Sequence, residues 1–258
     1  MARKVNLNAD MGEGFGDYDI GNDTEMLKII KSANVACGFH GGDWNVMDRV
    51  CKQSKERGVS VGAHPGFNDL WGFGRRKIQM ATDDVERMVC YQIGALQGMA
   101  AANGMKVTHV KTHGALGNIC AVELDWAQAI GRAIKAVDPS LIFLAPTGCK
   151  MIEVAQDMGL TFASEVFADR TYDDDGNLTP RSQPNAMVHD PDEAAERVIH
   201  MIQNQEIVST SGKHVPAVVH SICVHGDGPT AVAVATKVRA GIEAAGIDIV
   251  PLPEMELG

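Results

Sequence analysis

At 258 residues, with 45% hydrophobic and 22% charged residues, the chain has the make-up of a globular protein that can bury a large core. Its formal net charge of -10 argues against nucleic acid and anionic membrane surfaces as partners. No apolar run reaches the roughly 18 residues of a membrane span, and the opening Met-Ala-Arg-Lys-Val-Asn lacks the apolar stretch of a signal peptide.

The length fits one α/β barrel of about 250 residues, so residues 1–258 are read as a single domain. Six scattered cysteines without a C-x-x-C pair read as reduced thiols of a cytoplasmic protein, not as disulfides or a zinc cluster.

The chain opens on a strand of two characters. Val5, Leu7 and Ala9 point one way, and Asn6, Asn8 and Asp10 the other. Two amides and a carboxylate need partners if that face is dry. Glu13 follows between Gly12 and Gly14, where the backbone can bend tightly and pass close to a ligand.

Asn22-Asp23-Thr24-Glu25 then opens a helix. Residues 34–39 form a second strand ending at His40, and Gly41-Gly42-Asp43 turns into a helix that Gly58 stops. The third strand, residues 59–63, ends at His64-Pro65-Gly66. A long aromatic loop over residues 67–76 closes with Arg75 and Arg76. Thr82 starts a helix running towards Asn103-Gly104.

The fourth strand, residues 107–113, places His109, Lys111 and His113 on one face. A helix over 123–137, an apolar fifth strand over 141–145 and another helix follow. The sixth strand, 161–167, carries Ala163, Glu165 and Phe167 on one face. Residues 168–187 are the longest irregular stretch, with Asp169, Arg170 and Arg181. Asp190-Pro191 caps a helix, and residues 209–214 read as a polar connection. The seventh strand, 218–224, ends at His225-Gly226-Asp227, a turn that resembles an anion-holding loop before a last helix. Residues 247–250 read as a small closing strand.

Strands alternating with helices make a parallel sheet, whose ligands bind at the C-terminal strand ends. Those ends carry Asp10, His40, His64, His113, Glu165 and His225. Two chemistries fit. In one, Asp10, His40 and His64, with Glu13 nearby, hold a divalent metal such as zinc that acidifies a water. In the other, carboxylates act as acid and base, Lys111 stabilises negative charge and the histidines relay protons. Arg75, Arg76, Arg170 and Arg181 supply cations that bind carboxylates or phosphates in pairs of hydrogen bonds. No G-x-x-x-x-G-K-[ST] occurs, nor a G-x-G-x-x-G after a strand.

Residues 6–14, 36–43, 62–65, 73–76, 110–116, 165–170 and 224–227 together resemble the LamB/YcsF family, which supplies one component of bacterial ATP-dependent 5-oxoprolinase, its A subunit. The resemblance implies a distorted seven-stranded, TIM-like β/α barrel, similar to the glycoside hydrolase/deacetylase fold. It implies hydrolysis of 5-oxo-L-proline to L-glutamate coupled to ATP, with ATP used by an assembly that includes the B and C subunits. Asp10, Glu13, Lys111, His113 and Glu165 are then the expected catalytic groups. Asn8, Arg75, Arg170, His225 and Asp227 are expected around the substrate, and Asp10, His40 and His64 around any metal. Within that reading Lys111 stabilises the oxyanion, His113 is the acid and Arg170 holds the substrate carboxylate. A stand-alone metal-dependent amidase or carbohydrate deacetylase is one alternative, and a binding component without catalysis is another. Homo-oligomerisation is left open.

Overall fold

The computed structural model describes residues 3–257 apart from 227 and 229. In chain order its strands are β1 (Lys4–Met11), β2 (Ser32–Ala36), β3 (Ser60–His64), β4 (Val107–Val110), β5 (Ile142–Pro146), β6 (Phe162–Phe167), β7 (Glu206–Val208), β8 (His214–Pro216), β9 (Ser221–Cys223) and β10 (Asp248–Ile249). The helices are α1 (Asp23–Met26), α2 (Trp44–Arg57), α3 (Thr82–Ala102), α4 (Gly114–Val122), α5 (Leu124–Val137), α6 (Lys150–Met158), α7 (Pro191–Asn204) and α8 (Ala231–Ala244).

β1 to β6 and β9 pair in parallel, and β9 returns to β1, so seven strands close a barrel. β10 adds to the start of β1 through Lys4 and Val5, below the point where β2 joins at Asn8. This staggered seam distorts the barrel. Among the described residues, no helix is long and apolar enough to cross a membrane.

The period of two in β1 sorts its side chains. Val5, Leu7, Ala9 and Met11 join the large apolar core, where each large side chain removed from water contributes about 1.5–3 kcal/mol. Asn6, Asn8 and Asp10 turn into the lumen, where their first partners stand on the neighbouring strands β2 and β9. Asn6 donates to Ser32 Oγ and accepts from Ser221 Oγ, and Asn8 donates to Ser221 Oγ at 2.7 Å. Asn34 donates to Asn8 Oδ1 and Asp10 Oδ1, and accepts from His109 Nε2 at 2.9 Å. Each buried amide thereby finds the partners its burial requires. Gly62 makes room: a Cβ there would overlap the His109 ring. On the β5–β6 side a small apolar group, Ile142, Leu144 and Ala163, is capped by Leu252.

Local signals set several helix ends. Asp43 caps α2 by accepting the Val46 N–H at 2.9 Å, and Gly58 ends it in the left-handed region. Asp190 accepts two N–H groups at the start of α7, with Pro191 first in the helix.

The expected order of elements holds, with differences in detail. The first helix is one turn. β2 starts at Ser32 and ends at Ala36 rather than spanning 34–39. β4 ends at Val110, although the Lys111 and His113 N–H groups still bond to Ala63 and Pro65. α4 follows at once, a helix absent from the sequence reading; its cap position, His113, makes no side-chain cap. The supposed polar connection at 209–214 is the tip of an antiparallel ribbon, β7–β8. Its strands are three residues long, too short to show a period.

Candidate active site

The C-terminal strand ends surround a cavity of about 570 Å³. Asp10, Glu13, His64, Lys111, His113, Glu165, Arg75, Arg170 and His225 line it. Asn8 lies beneath, bonded to Glu165 Oε2 at 3.2 Å. His40 is fully buried behind Glu13 and is not part of the wall. Asp227, read as substrate-binding, lies outside the described residues.

The turn after β1 is built for close backbone packing. Gly12 has φ +67°, and a Cβ on Gly14 would lie 2.6 Å from the Tyr18 carbonyl oxygen. These glycines serve the turn's own fold. Asp23 Oδ1 accepts the Gly12 N–H at 3.1 Å and fastens it. Burial pushes the Asp23 carboxyl up to about 6. Between about pH 4 and 6 the folded chain therefore binds more protons than the unfolded one, and stability falls as pH rises through that window, by at most roughly 3 kcal/mol. Asp23→Asn is expected to flatten this slope. Urea midpoints taken at about pH 4.5 and about pH 6.5 should differ less in the variant than in the parent.

Lys111 stands at the centre of the floor. Its Nζ is 3.0 Å from Asp10 Oδ1, 3.2 Å from Glu165 Oε2 and 3.1 Å from Cys223 Sγ, and lies over the Phe167 ring. Burial opposes its charge, but Asp10 and the other acidic neighbours hold the ammonium well above its ordinary value. Burial would also raise Asp10, yet His64 and Lys111 hold it well below the usual carboxylate range. Glu165 goes the other way. It shares Lys111 with Asp10, its Oε1 has no hydrogen-bond partner, and burial pushes its pKa up.

A second cluster fills one wall. His64 Nδ1 lies 2.7 Å from the Lys111 carbonyl, and His113 Nε2 lies 2.8 Å from the Phe73 carbonyl. A carbonyl only accepts, so both nitrogens carry protons. Phe73 holds its carbonyl there from the left-handed region, at φ 53°, where a non-glycine residue is uncommon. The remaining nitrogens, His64 Nε2 and His113 Nδ1, face each other at 3.1 Å. Asp10 Oδ2 is 3.2 Å from the first, and Glu13 Oε1 is 3.4 Å from the second. Burial, then the neighbouring imidazoles, hold His113 well below its ordinary value, and burial does the same to His40. Glu13, His40, His64 and His113, all buried, each bring one ligand atom within 4.8 Å of the others. Three imidazoles and a carboxylate are a donor set that fits a divalent cation. Of the set expected from the sequence, His40 and His64 belong to this cluster and the nearby Glu13 joins them, with His40 Nε2 at 3.2 Å from Glu13 Oε1; His113 is added, and Asp10 stands beside the cluster through His64 Nε2.

On the far wall Asp169 accepts from His225 Nδ1 at 2.7 Å; burial disfavours the imidazolium, but Asp169 outweighs it and raises His225. Arg181 Nη2 lies 3.4 Å from His225 Nε2. Arg170 borders the cavity, but its Nε and Nη2 donate to the Ala186 and Thr179 carbonyls and so tie down residues 168–187. The sequence reading left Asn34, Asp169 and Cys223 out of the site. Asn34 was findable, because Ser32 and Asn34 on β2 repeat the polar period of β1.

The sequence model of the LamB/YcsF family matches residues 5–257. This chain belongs to the LamB/YcsF family. It is 51% identical over 248 residues to the 5-oxoprolinase A subunit of Azorhizobium caulinodans, covering 96% of this chain and 98% of that one. With the 5-oxoprolinase A subunit of Coprothermobacter proteolyticus it shares 48% identity over 252 residues, 98% and 97% of the two chains. Among solved structures, the lactam utilization protein from Thermus thermophilus superposes with a TM-score of 0.91 at 40% identity, over 96% of this LamB/YcsF chain and 99% of that one. The catalytic domain of a peptidoglycan N-acetylglucosamine deacetylase from Eubacterium rectale gives 0.52 at 11% identity, over 97% and 89%, a likeness of fold.

Proposed function

We propose that this chain is the A subunit of an ATP-dependent 5-oxoprolinase and that 5-oxo-L-proline is opened to L-glutamate at the barrel mouth. The observation that carries this reading is the identity of about half the residues, end to end, with curated A subunits. The polar mouth supplies the chemistry that lactam opening needs.

Opening a lactam requires a base for water, a stabiliser for the oxyanion and an acid for the leaving nitrogen. Asp10, kept ionised, is placed to take the proton from water. Lys111 is the fixed cation for the oxyanion. Glu165 is the better acid: its pKa is raised and its Oε1 is unsatisfied, whereas His113 has its proton on the carbonyl-bonded Nε2. Arg75 and Arg181 at the mouth suit the substrate carboxylate, since Arg170 is held by carbonyls. A divalent metal held by Glu13, His40, His64 and His113 would supply an acidified water beside Asp10.

A five-membered lactam is nearly unstrained, so ATP drives its opening. The chain has no P-loop signature, and nucleotide chemistry is assigned to the B and C partners. The assembly works in the cytoplasm, where six free cysteines remain thiols.

The test is glutamate release from 5-oxoproline and ATP, with the chain alone and with the B and C partners. Turnover is expected only in the full mixture. A folded, complete mixture that releases no glutamate would overturn the reading, as would metal-dependent amide or acetyl-sugar hydrolysis by the chain alone without ATP.

A further inference from the structure

A separate group of metal-type ligands lies outside the mouth, where α7 meets the β7–β8 ribbon. Glu206 pairs with Pro216, and His214 pairs with Val208. With a period of two, Glu206 and His214 share one face of the ribbon, a diagonal apart. The last turn of α7 sets His200 against them. His200 Nε2 is 3.0 Å and His214 Nδ1 2.7 Å from the same oxygen, Glu206 Oε1. The imidazole centroids are 6.0 Å apart. None of the three lines the cavity, and their side chains are 39%, 59% and 25% exposed, so a hydrated ion can reach them.

We propose that His200, Glu206 and His214 form a surface site for a divalent transition metal of the zinc, nickel or copper class. Two imidazoles and a carboxylate are a ligand set these ions favour, with waters completing the shell. Without metal, both imidazoles donate N–H to Glu206 Oε1. On binding, each ring switches tautomer: the donating nitrogen gives up its proton, the other ring nitrogen takes one up, and the freed lone pair turns to the ion while the ring stays neutral. For His200 the proton then sits on Nδ1, and the Asn204 amide, whose Nδ2 now lies 3.2 Å from Nδ1, rotates to present its oxygen.

The ion would clamp the ribbon to α7. The ribbon's tip is already tied to the cavity wall: Ser209 and Ser211 Oγ donate to Asp174 Oδ1, and Lys213 Nζ donates to the Asp174 carbonyl. The same segment carries Asn177, Leu178 and Arg181 into the cavity. The site therefore braces one wall of the mouth from behind.

Calorimetric titration of the full chain with Zn²⁺ tests this independently of turnover. Glu13→Gln weakens the mouth cluster and isolates the surface site. In that background one equivalent of Zn²⁺ should bind and raise the melting temperature, and adding His200→Gln and His214→Gln should abolish both effects. Glu206→Gln alone should weaken binding while the variant melts like its parent without metal. Zn²⁺ binding of unchanged stoichiometry and affinity in the triple variant would overturn the proposal. So would no saturable binding in the Glu13→Gln chain.

Discussion

Asp10→Asn is expected to lower glutamate formation by the complete assembly by about 100- to 10,000-fold, the range for loss of a positioned acid–base group. The barrel should remain folded. Asparagine is nearly isosteric, and its Oδ1 can still accept from Asn34 and Lys111, which now contact the carboxylate at 2.9 and 3.0 Å. What disappears is the negative charge facing His64 Nε2 and the basic oxygen aimed at the cavity. Glutamate release measured beside far-ultraviolet circular dichroism separates the two effects. A variant with parental kcat would place the reaction away from the β1 end. A rise in KM with unchanged kcat would assign Asp10 to binding alone.

Lys111→Met is expected to destabilise the chain by about 3–5 kcal/mol, the cost of leaving buried charge without its partner. Methionine fills much of the same space. Asp10 and Glu165 then lose their shared cation while both remain in the barrel. The loss should depend on pH in a defined sense. Asp10 has a lowered folded pKa, so its contribution is present above the unfolded value near 4 and fades as pH falls through the folded value. Lys111 has a raised one, so its contribution is present below the unfolded value of about 10.4 and fades as pH rises through the folded value. The difference between parent and variant should be widest between these limits and shrink in acid. Urea midpoints across pH read it directly. Adding Glu165→Gln to Lys111→Met should cost less than the sum of the two single changes, because each removes part of the same network. Additive losses would show that Glu165 and Lys111 do not share charge.

The strand ends were legible because a parallel β/α chain has one chemical end. Once alternation marks Asn8 and Asp10 as facing one way, and His64, Lys111, Glu165 and His225 sit at or beyond strand termini, topology alone gathers them. The apolar period of β1 and the caps at Asp43 and Asp190 are local signals, and they survive folding unchanged.

Partner choice was not legible. Arg170 and Arg181 look alike in sequence, but the path of residues 168–187 hands Arg170 to two carbonyls and leaves Arg181 beside His225. His40 and His113 both follow strands, yet one is sealed behind Glu13 and the other shares the cavity wall. His113's tautomer depends on the Phe73 carbonyl, 40 residues away in the chain. Whether a carboxyl such as Glu165 is raised or Asp10 lowered depends on which shares a cation and which keeps an orphaned oxygen.

By itself the sequence determined the order of the seven barrel strands and most of the helices between them, the polar face of β1 and the residues gathered at the barrel mouth, since these follow from periodicity, caps and chain direction; α4 and the β7–β8 ribbon, short and without a clear period, were not among them. Only the tertiary structure decided which oxygens and nitrogens meet, because hydrogen bonds and charge pairs act over about 3 Å, and loop paths across the mouth set those distances.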